Sequence, residues 1–283
     1  MDTTTLTPAT LTPAIDLRVD EAQTIDLQAL AADLVATHGR GDTPFGLYVV
    51  PASDPAAELA RAVERDVFFE YFGNTPEMLA AEYDAYEDSS VYLCVLDHLR
   101  GRAAGAMRLI LPSSAGLKTT VDLEQSWAQP VTEVLERTGL ELPPGRVWDI
   151  ATIAVTPEYR GASTNGLISL AMYQGVIQLA IHRDVRWVLA ILDLVVLDLI
   201  QEGTGRPFST FDGVEPMSYL DSPSSLPVWC DLTDYDQRLA ITDPGMHEIL
   251  FASSGLEAAV SIPAWDGHLP RGTAGDEDLA ATA

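Results

Sequence analysis

The chain has 283 residues, 47% of them hydrophobic, and a formal charge of −26 from 42 acidic and 16 basic side chains. That apolar content supplies a substantial core and excludes wholesale disorder, while a surface this acidic repels phosphate backbones and disfavours nucleic-acid binding. The length admits one large or two small domains. The charge suits a cationic small substrate, although solubility alone suffices to explain it. Lys118 is the only lysine. Cys94 and Cys230 lie in apolar, strand-like runs and read as buried thiols, with no disulfide framework or zinc spacing around them. The longest apolar run, residues 187–200, is short for a membrane span and carries Asp193 and Asp198. With no basic-then-apolar N-terminal segment, the expectation is a cytoplasmic protein without signal peptide or membrane span.

In chain order, residues 1–24 are Thr/Pro-rich and expected to be mobile. Residues 25–37 carry helical spacing at Leu27, Leu30 and Leu34. Residues 46–50 read as a strand, and 54–71 as a helix capped by Asp54. Pro76 opens a second helix behind an N-cap at Thr75. Residues 91–97 and 103–111 read as a hairpin turning at His98-Leu99-Arg100-Gly101-Arg102. Residues 122–138 are helical, split at Pro130. Residues 147–155 form a strand with one acidic side chain, Asp149, which runs into a Pro/Arg/Gly turn and a long helix at 164–183. A strand at 186–192, a helix at 193–202 and strands near 207–211 and 228–232 follow, with Ser222-Pro223-Ser224-Ser225 as a loop. This order predicts an α/β (α+β) fold, a mixed central sheet with helices on both faces. The expected organisation is an extension over 1–44, a folded domain over 45–263 and a disordered tail over 264–283.

Three patterns carry a family resemblance. They are Glu82-Tyr83-Asp84-Ala85-Tyr86-Glu87-Asp88, Gly105-Ala106-Met107-Arg108-Leu109-Ile110-Leu111-Pro112-Ser113, and Trp148-Asp149-Ile150-Ala151-Thr152-Ile153-Ala154-Val155. In their order and spacing they resemble the Gcn5-related N-acetyltransferase (GNAT) superfamily. Within it they are most similar to the autoinducer-synthase-like branch of acyl-homoserine-lactone synthases and N-acyl amino acid synthases. The resemblance implies the GNAT fold and an acyl-CoA or acyl-phosphopantetheine co-substrate rather than a permanently bound cofactor. It also implies a small amine as acceptor, with an acyl carrier protein as an alternative source of the donor. A carrier protein would call for an arginine patch such as Arg102, Arg160, Arg183 and Arg186.

The chemistry assigns roles. Amide formation from a thioester needs a deprotonated amine, which Asp149, desolvated in its apolar strand, can assist. Backbone N–H groups near residues 150–153 would stabilise the oxyanion if the strand splays there. Arg108 is costly mid-strand unless paired; it is either a substrate-positioning group or a partner of Asp84 or Asp149. Tyr219 is a candidate acid for the leaving thiolate. Arg160, Gly161, Ala162, Ser163, Thr164, Asn165 and Gly166 form the expected phosphate cradle at a helix N-terminus, and an ordinary helix-entry loop is the alternative. Ser163 and Asn165 stand where the family has small residues, and Thr152 where the branch has arginine. Asp84, Trp148 and Thr152 are the expected substrate contacts. A shared helical face for Asp84 and Asp88, and an acyl tunnel lined by Trp148, Trp187 and Trp229, are weighed against a solvated surface and core packing. The five histidines show no metal spacing. The function expected is N-acyl transfer to an amino acid or small amine, with a catalytically silent binding module or an acyl-homoserine-lactone synthase as alternatives.

Overall fold

The structure, a computed structural model, describes residues 25–262. The expectations for residues 1–24 and for the tail from residue 263 lie outside them. A nine-stranded mixed sheet forms the centre. Its elements run α1 (Leu27–His38), β1 (Phe45–Pro51), α2 (Ala57–Phe72), α3 (Pro76–Tyr83), β2 (Ser90–Asp97), β3 (Arg102–Ile110), α4 (Lys118–Gln125), α5 (Val131–Thr138) and β4 (Val147–Val155). They continue with α6 (Leu167–His182), β5 (Trp187–Asp193), α7 (Leu194–Gly203), β6 (Ser209–Thr210), β7 (Met217–Tyr219), β8 (Ser222–Asp231), α8 (Leu232–Thr242), α9 (Pro244–Leu250) and β9 (Val260–Ser261). The strand order is β6-β8-β5-β4-β3-β2-β1-β9, with β7 paired to β8.

Helices cover both faces, so the central strands are apolar on both sides rather than alternating. In β2 every residue is buried. Leu93 and Val95 join the core under α6, which supplies Ile168, Met172 and Val176. Tyr92, Cys94 and Leu96 join the opposite core, under Leu59, Ala60 and Val63 of α2. The period of two along a strand thus sorts its residues between two helices. Both cysteines are buried free thiols. α1 packs on the α2 side through Ala31 and Leu34, with Asp26 accepting from the backbone N–H of Gln28 and Ala29 at 3.1 Å.

Several local expectations shift. α2 starts at Ala57, three residues after Asp54, whose carboxylate accepts from Ala56 N at 2.8 Å in the preceding turn. Thr75 caps α3 as expected, accepting from Met78 N at 3.3 Å. Asp84 and Asp88 fall in a 3-10 turn over Asp84–Ser89, where three residues complete a turn, so positions four apart do not share a face. The helix expected from residue 122 begins at Lys118, and Pro130 separates it from α5. The Ser222–Ser225 segment is the start of β8 rather than a loop, with Ser222 paired to Tyr219 of β7 and Ser225 to Met217 of β7 and Asp193 of β5. α8 and α9, and the short strand β9 that pairs parallel to β1, extend the chain beyond the anticipated elements.

α6 lies close on the sheet because Gly175 has no side chain. A Cβ there would strike Leu47 Cδ2, with Leu93 Cδ1 at 3.5 Å. Gly175→Val should therefore lower stability by about 1–3 kcal/mol through overpacking. Urea unfolding of the purified variant measures this, and an unchanged midpoint would refute the close approach.

Candidate active site

β4 and β5 run parallel and pair from Val147↔Trp187 to Ile150↔Ala190, and then part. The cause is visible on the other edge of β4. Its register against β3 shifts between Leu109↔Ile150 and Arg108↔Thr152, so Ala151 is an extra, bulged residue. A bulge bends the strand that carries it and sharpens its twist, whereas β5 runs on, paired with β8, to Asp193. The gap opens a cleft of about 300 Å³. Residues 151–153 and Val155 of β4 line one wall, and Ile191, Leu192 and Asp193 of β5 the other. Val67, Phe68, Tyr71 and Phe72 from the end of α2 face Val196 and Leu199 of α7 across the mouth. Tyr71 and Leu199 are more than half exposed there, at 58% and 66%. The turn between β7 and β8, through Tyr219 and Leu220, covers the cleft. It is fastened by Asn74, whose Nδ2 donates to Asp221 Oδ2 at 3.0 Å and to Leu220 O at 3.3 Å.

The inner end is polar. Asp149 is 1% exposed and lines the cleft. Burial pushes its carboxyl up to about 7, against the pull of the Thr119 backbone N–H, the Thr119 hydroxyl and the nearby charge of Lys118. The Thr119 N–H reaches Oδ2 at 2.6 Å and its hydroxyl reaches Oδ1 at 3.0 Å. Leu117, at the N-cap of α4, has no side chain able to cap it; Asp149 satisfies that first-turn donor from β4. One residue earlier, Lys118 Nζ binds Glu82, Asp122 Oδ2 at 2.7 Å and the Tyr219 hydroxyl at 2.6 Å. Tyr219 in turn donates to Asp122 Oδ2 at 2.5 Å. Burial, then Asp122, hold the Tyr219 hydroxyl protonated far above its usual range. Two successive residues of α4 therefore hold both Asp149 and Tyr219.

Arg108 sits apart from this group. It is 4% exposed and pairs with Glu64 of α2, at 3.1 and 2.8 Å, and with Glu87 at 2.9 Å, rather than with Asp84 or Asp149. Its guanidinium also stacks over Tyr83 and Tyr92. Burial opposes its charge, but Glu64 more than offsets that and holds the group firmly protonated. Thr152 lines the cleft, while its hydroxyl donates to Glu64. Asp84 is exposed and lines a separate groove beside Arg61 and Arg65. Trp148 and Trp187 are buried in the core; Trp229 donates to Thr210 O at 3.1 Å; none of the three lines the cleft. Asp193 caps α7, accepting from Val195 N at 2.8 Å.

At the outer end of β4, two 3-10 turns, Pro157–Tyr159 and Gly161–Ser163, lead into α6. Arg160 lines the cleft, with Nε donating to Val155 O at 2.5 Å and the guanidinium bonded to and stacked on Tyr71. Gly161, Ser163, Asn165 and Gly166 are exposed. Gly161, Asn165 and Gly166 adopt positive φ of 59°, 49° and 77°, which glycine and asparagine accept most readily. Of the arginines a carrier protein would need, Arg102 is paired with Glu158 and Arg186 with Asp231.

Sequence reasoning gave no site role to Lys118, Thr119, Asp122 or Glu64, and quoted Glu82 and Glu87 only within a pattern. Two signals were available. Glu64 falls in the apolar stripe of α2 with Ala60, Val63 and Val67, and the only lysine stands four residues before Asp122.

Arg108→Met should cost about 3–5 kcal/mol, because it leaves Glu64 charged and buried; adding Glu64→Gln should recover most of the loss in urea unfolding. Thr119→Val removes a hydroxyl that favours the ionised carboxylate. It should move the Asp149 titration above about 7, read from the carboxyl carbon by NMR; no upward movement would exclude that hydrogen bond as a determinant.

Comparison with known proteins agrees with this geometry. Residues 64–169, from α2 through the β4–α6 junction, match the family described as Acetyltransferase (GNAT) domain. A search of curated proteins returns no match. Among solved structures, FeeM, an N-acyl amino acid synthase from uncultured soil microbes, is 12% identical with a TM-score of 0.50, covering 69% of this chain and 95% of that one. BjaI, a CoA-dependent acyl-homoserine lactone synthase, is 17% identical with a TM-score of 0.46, covering 77% and 93%. The AHL synthase LasI is 13% identical with a TM-score of 0.47, covering 67% and 91%. At such identities the likeness is one of fold. The family match runs from α2 through β4 into the start of α6, so this part of the chain is similar to the GNAT acetyltransferase domain.

Proposed function

We propose that this protein is an N-acyltransferase that moves an acyl group from an acyl-CoA or acyl-carrier-protein thioester to the amine of an amino acid or small amine metabolite. The observation that carries this is the cleft between β4 and β5, with a buried carboxylate near neutrality at its closed end. The thioester arm lies along the free edge of β4, and the exposed turn from Arg160 to Gly166 receives the donor phosphate at the start of α6. Backbone N–H groups on that open edge polarise the thioester carbonyl. The amine attacks it directly, forming the C–N bond as the C–S bond breaks, and Asp149 accepts the amine proton. The thiolate departs as the anion and takes its proton from solvent, while Tyr219, its hydroxyl directed at Asp122 and held protonated by burial, lines the site without ionising. Ile150 and Ile153 are shared between the cleft and an apolar cavity of about 50 Å³ behind β4, lined by Tyr173, Val176 and Phe208 among others. That favours an acyl chain longer than acetyl.

Free-thiol release from acyl-CoAs of several lengths, in the presence of mixed amines, tests the reading. Asp149→Asn should lower turnover about tenfold or more with the fold intact, since asparagine keeps an acceptor for Thr119 but cannot take a proton. A base must be ionised to act, so wild-type turnover should fall as pH drops through about 7, and that limb should vanish in the variant. Unchanged turnover removes Asp149 from the mechanism. Absence of donor binding by calorimetry would favour a silent module, and thiol release with S-adenosylmethionine alone a lactone synthase.

A further inference from the structure

We propose that the acceptor is an amine without a carboxylate, such as a diamine or an arylalkylamine, and that free amino acids are poor acceptors. This rests on the acyl-transfer reading of the same cleft and narrows it. Among the described residues lining the cleft, the cationic side chains are Lys118 and Arg160. Arg160 stands at the outer end of β4, committed to Val155 O and to Tyr71. Lys118 stands at the inner end beside Asp149, where an acceptor must deliver its nitrogen. An ammonium has three hydrogens to donate, and this one directs them at Glu82, Asp122 and Tyr219. It has none left for a substrate carboxylate.

The surrounding groups sharpen the bias. Glu82, Asp122 and, when ionised, Asp149 set three negative charges against the single positive charge of Lys118. Tyr83 and Tyr219 are held neutral, burial being the main cause for each. Asp193, on the β5 wall, is turned to the N-terminus of α7 and to Ser222, which donates to it at 2.7 Å. Charges in a partly desolvated cleft interact several times more strongly than in water. A carboxylate carried in beside the reacting amine meets like charge at the inner end, where the one cation among the described residues, Lys118, already directs its hydrogens at Glu82, Asp122 and Tyr219. A second ammonium, or an uncharged tail, meets no such opposition.

Matched acceptor pairs test this with the full-length chain and decanoyl-CoA as donor: tyrosine against tyramine, ornithine against putrescine, lysine against cadaverine. The decarboxylated member of each pair should show the higher kcat/KM, by about tenfold or more, the effect of one pK unit of electrostatic preference. Glu82→Gln removes one charge and loosens one hydrogen of Lys118, so in a variant with wild-type circular dichroism the preference should narrow. Amino acids that match or exceed their amines, with thiol release intact, overturn the proposal while leaving acyl transfer standing. The same preference in folded Glu82→Gln overturns it too, by showing that this charge cluster is not its source. Silence with every acceptor, from decanoyl-CoA and from a decanoyl carrier protein alike, defeats the acyl-transfer reading itself and this proposal with it.

Discussion

The separation of β4 from β5 beyond Ile150 and Ala190 is the constraint on which the site depends. A sheet interior normally consumes every backbone donor and acceptor on both edges of a strand. Here the bulge at Ala151 lets β4 stay paired with β3 while releasing its other edge, so the strand offers polar backbone to a ligand from inside an apolar core. The remaining features follow from that opening. α2 and α7 wall it, α4 plugs its inner end, and the β7–β8 turn roofs it. The Asp149 carboxyl is pushed up to about 7 because it stands one residue before the last paired level, buried in the core yet lining the cleft.

Two polar networks divide the work on either side of β4. Arg61, Arg108, Glu64, Glu87 and Thr152 form a closed set in which two guanidinium groups balance two carboxylates. Such a set ties α2 to β3 and β4 and resists rearrangement, because removing one member strands another in a low dielectric. The second set, around Lys118, carries an excess of negative charge and borders open space. The first is closed within the fold, and the second lines the cleft through Lys118 and Tyr219.

Much of this was legible in the sequence. The apolar strand with its single acid, the split at Pro130, the Thr75 cap and the buried thiols all follow from local chemistry that tertiary context left alone. What escaped was non-local. Ser222 to Ser225 carries turn residues, yet β7 along the segment and β5 at Ser225 supply partners that draw it into β8. α9 had a signature in Asp243-Pro244, a cap followed by proline at the first helical position, with Asp243 accepting from Met246 N at 3.0 Å. Asp149 was foreseen as buried and acidic, but no spacing rule pairs it with Thr119, thirty residues away and on a helix that sequence reading began four residues too late.

The turn roofing the cleft has its own consequence. Leu220 and Asp221 both hold left-handed backbone, with φ of 46° and 62°, a conformation that asparagine and glycine adopt with far less strain. Leucine is among the least suited residues for it, yet Leu220 faces the cleft and Asp221 is gripped by Asn74. The hairpin thus trades backbone comfort for a greasy ceiling tile and a latch. Any homologue that relaxed this bend with glycine would have a stabler corner and a cleft without its leucine cover.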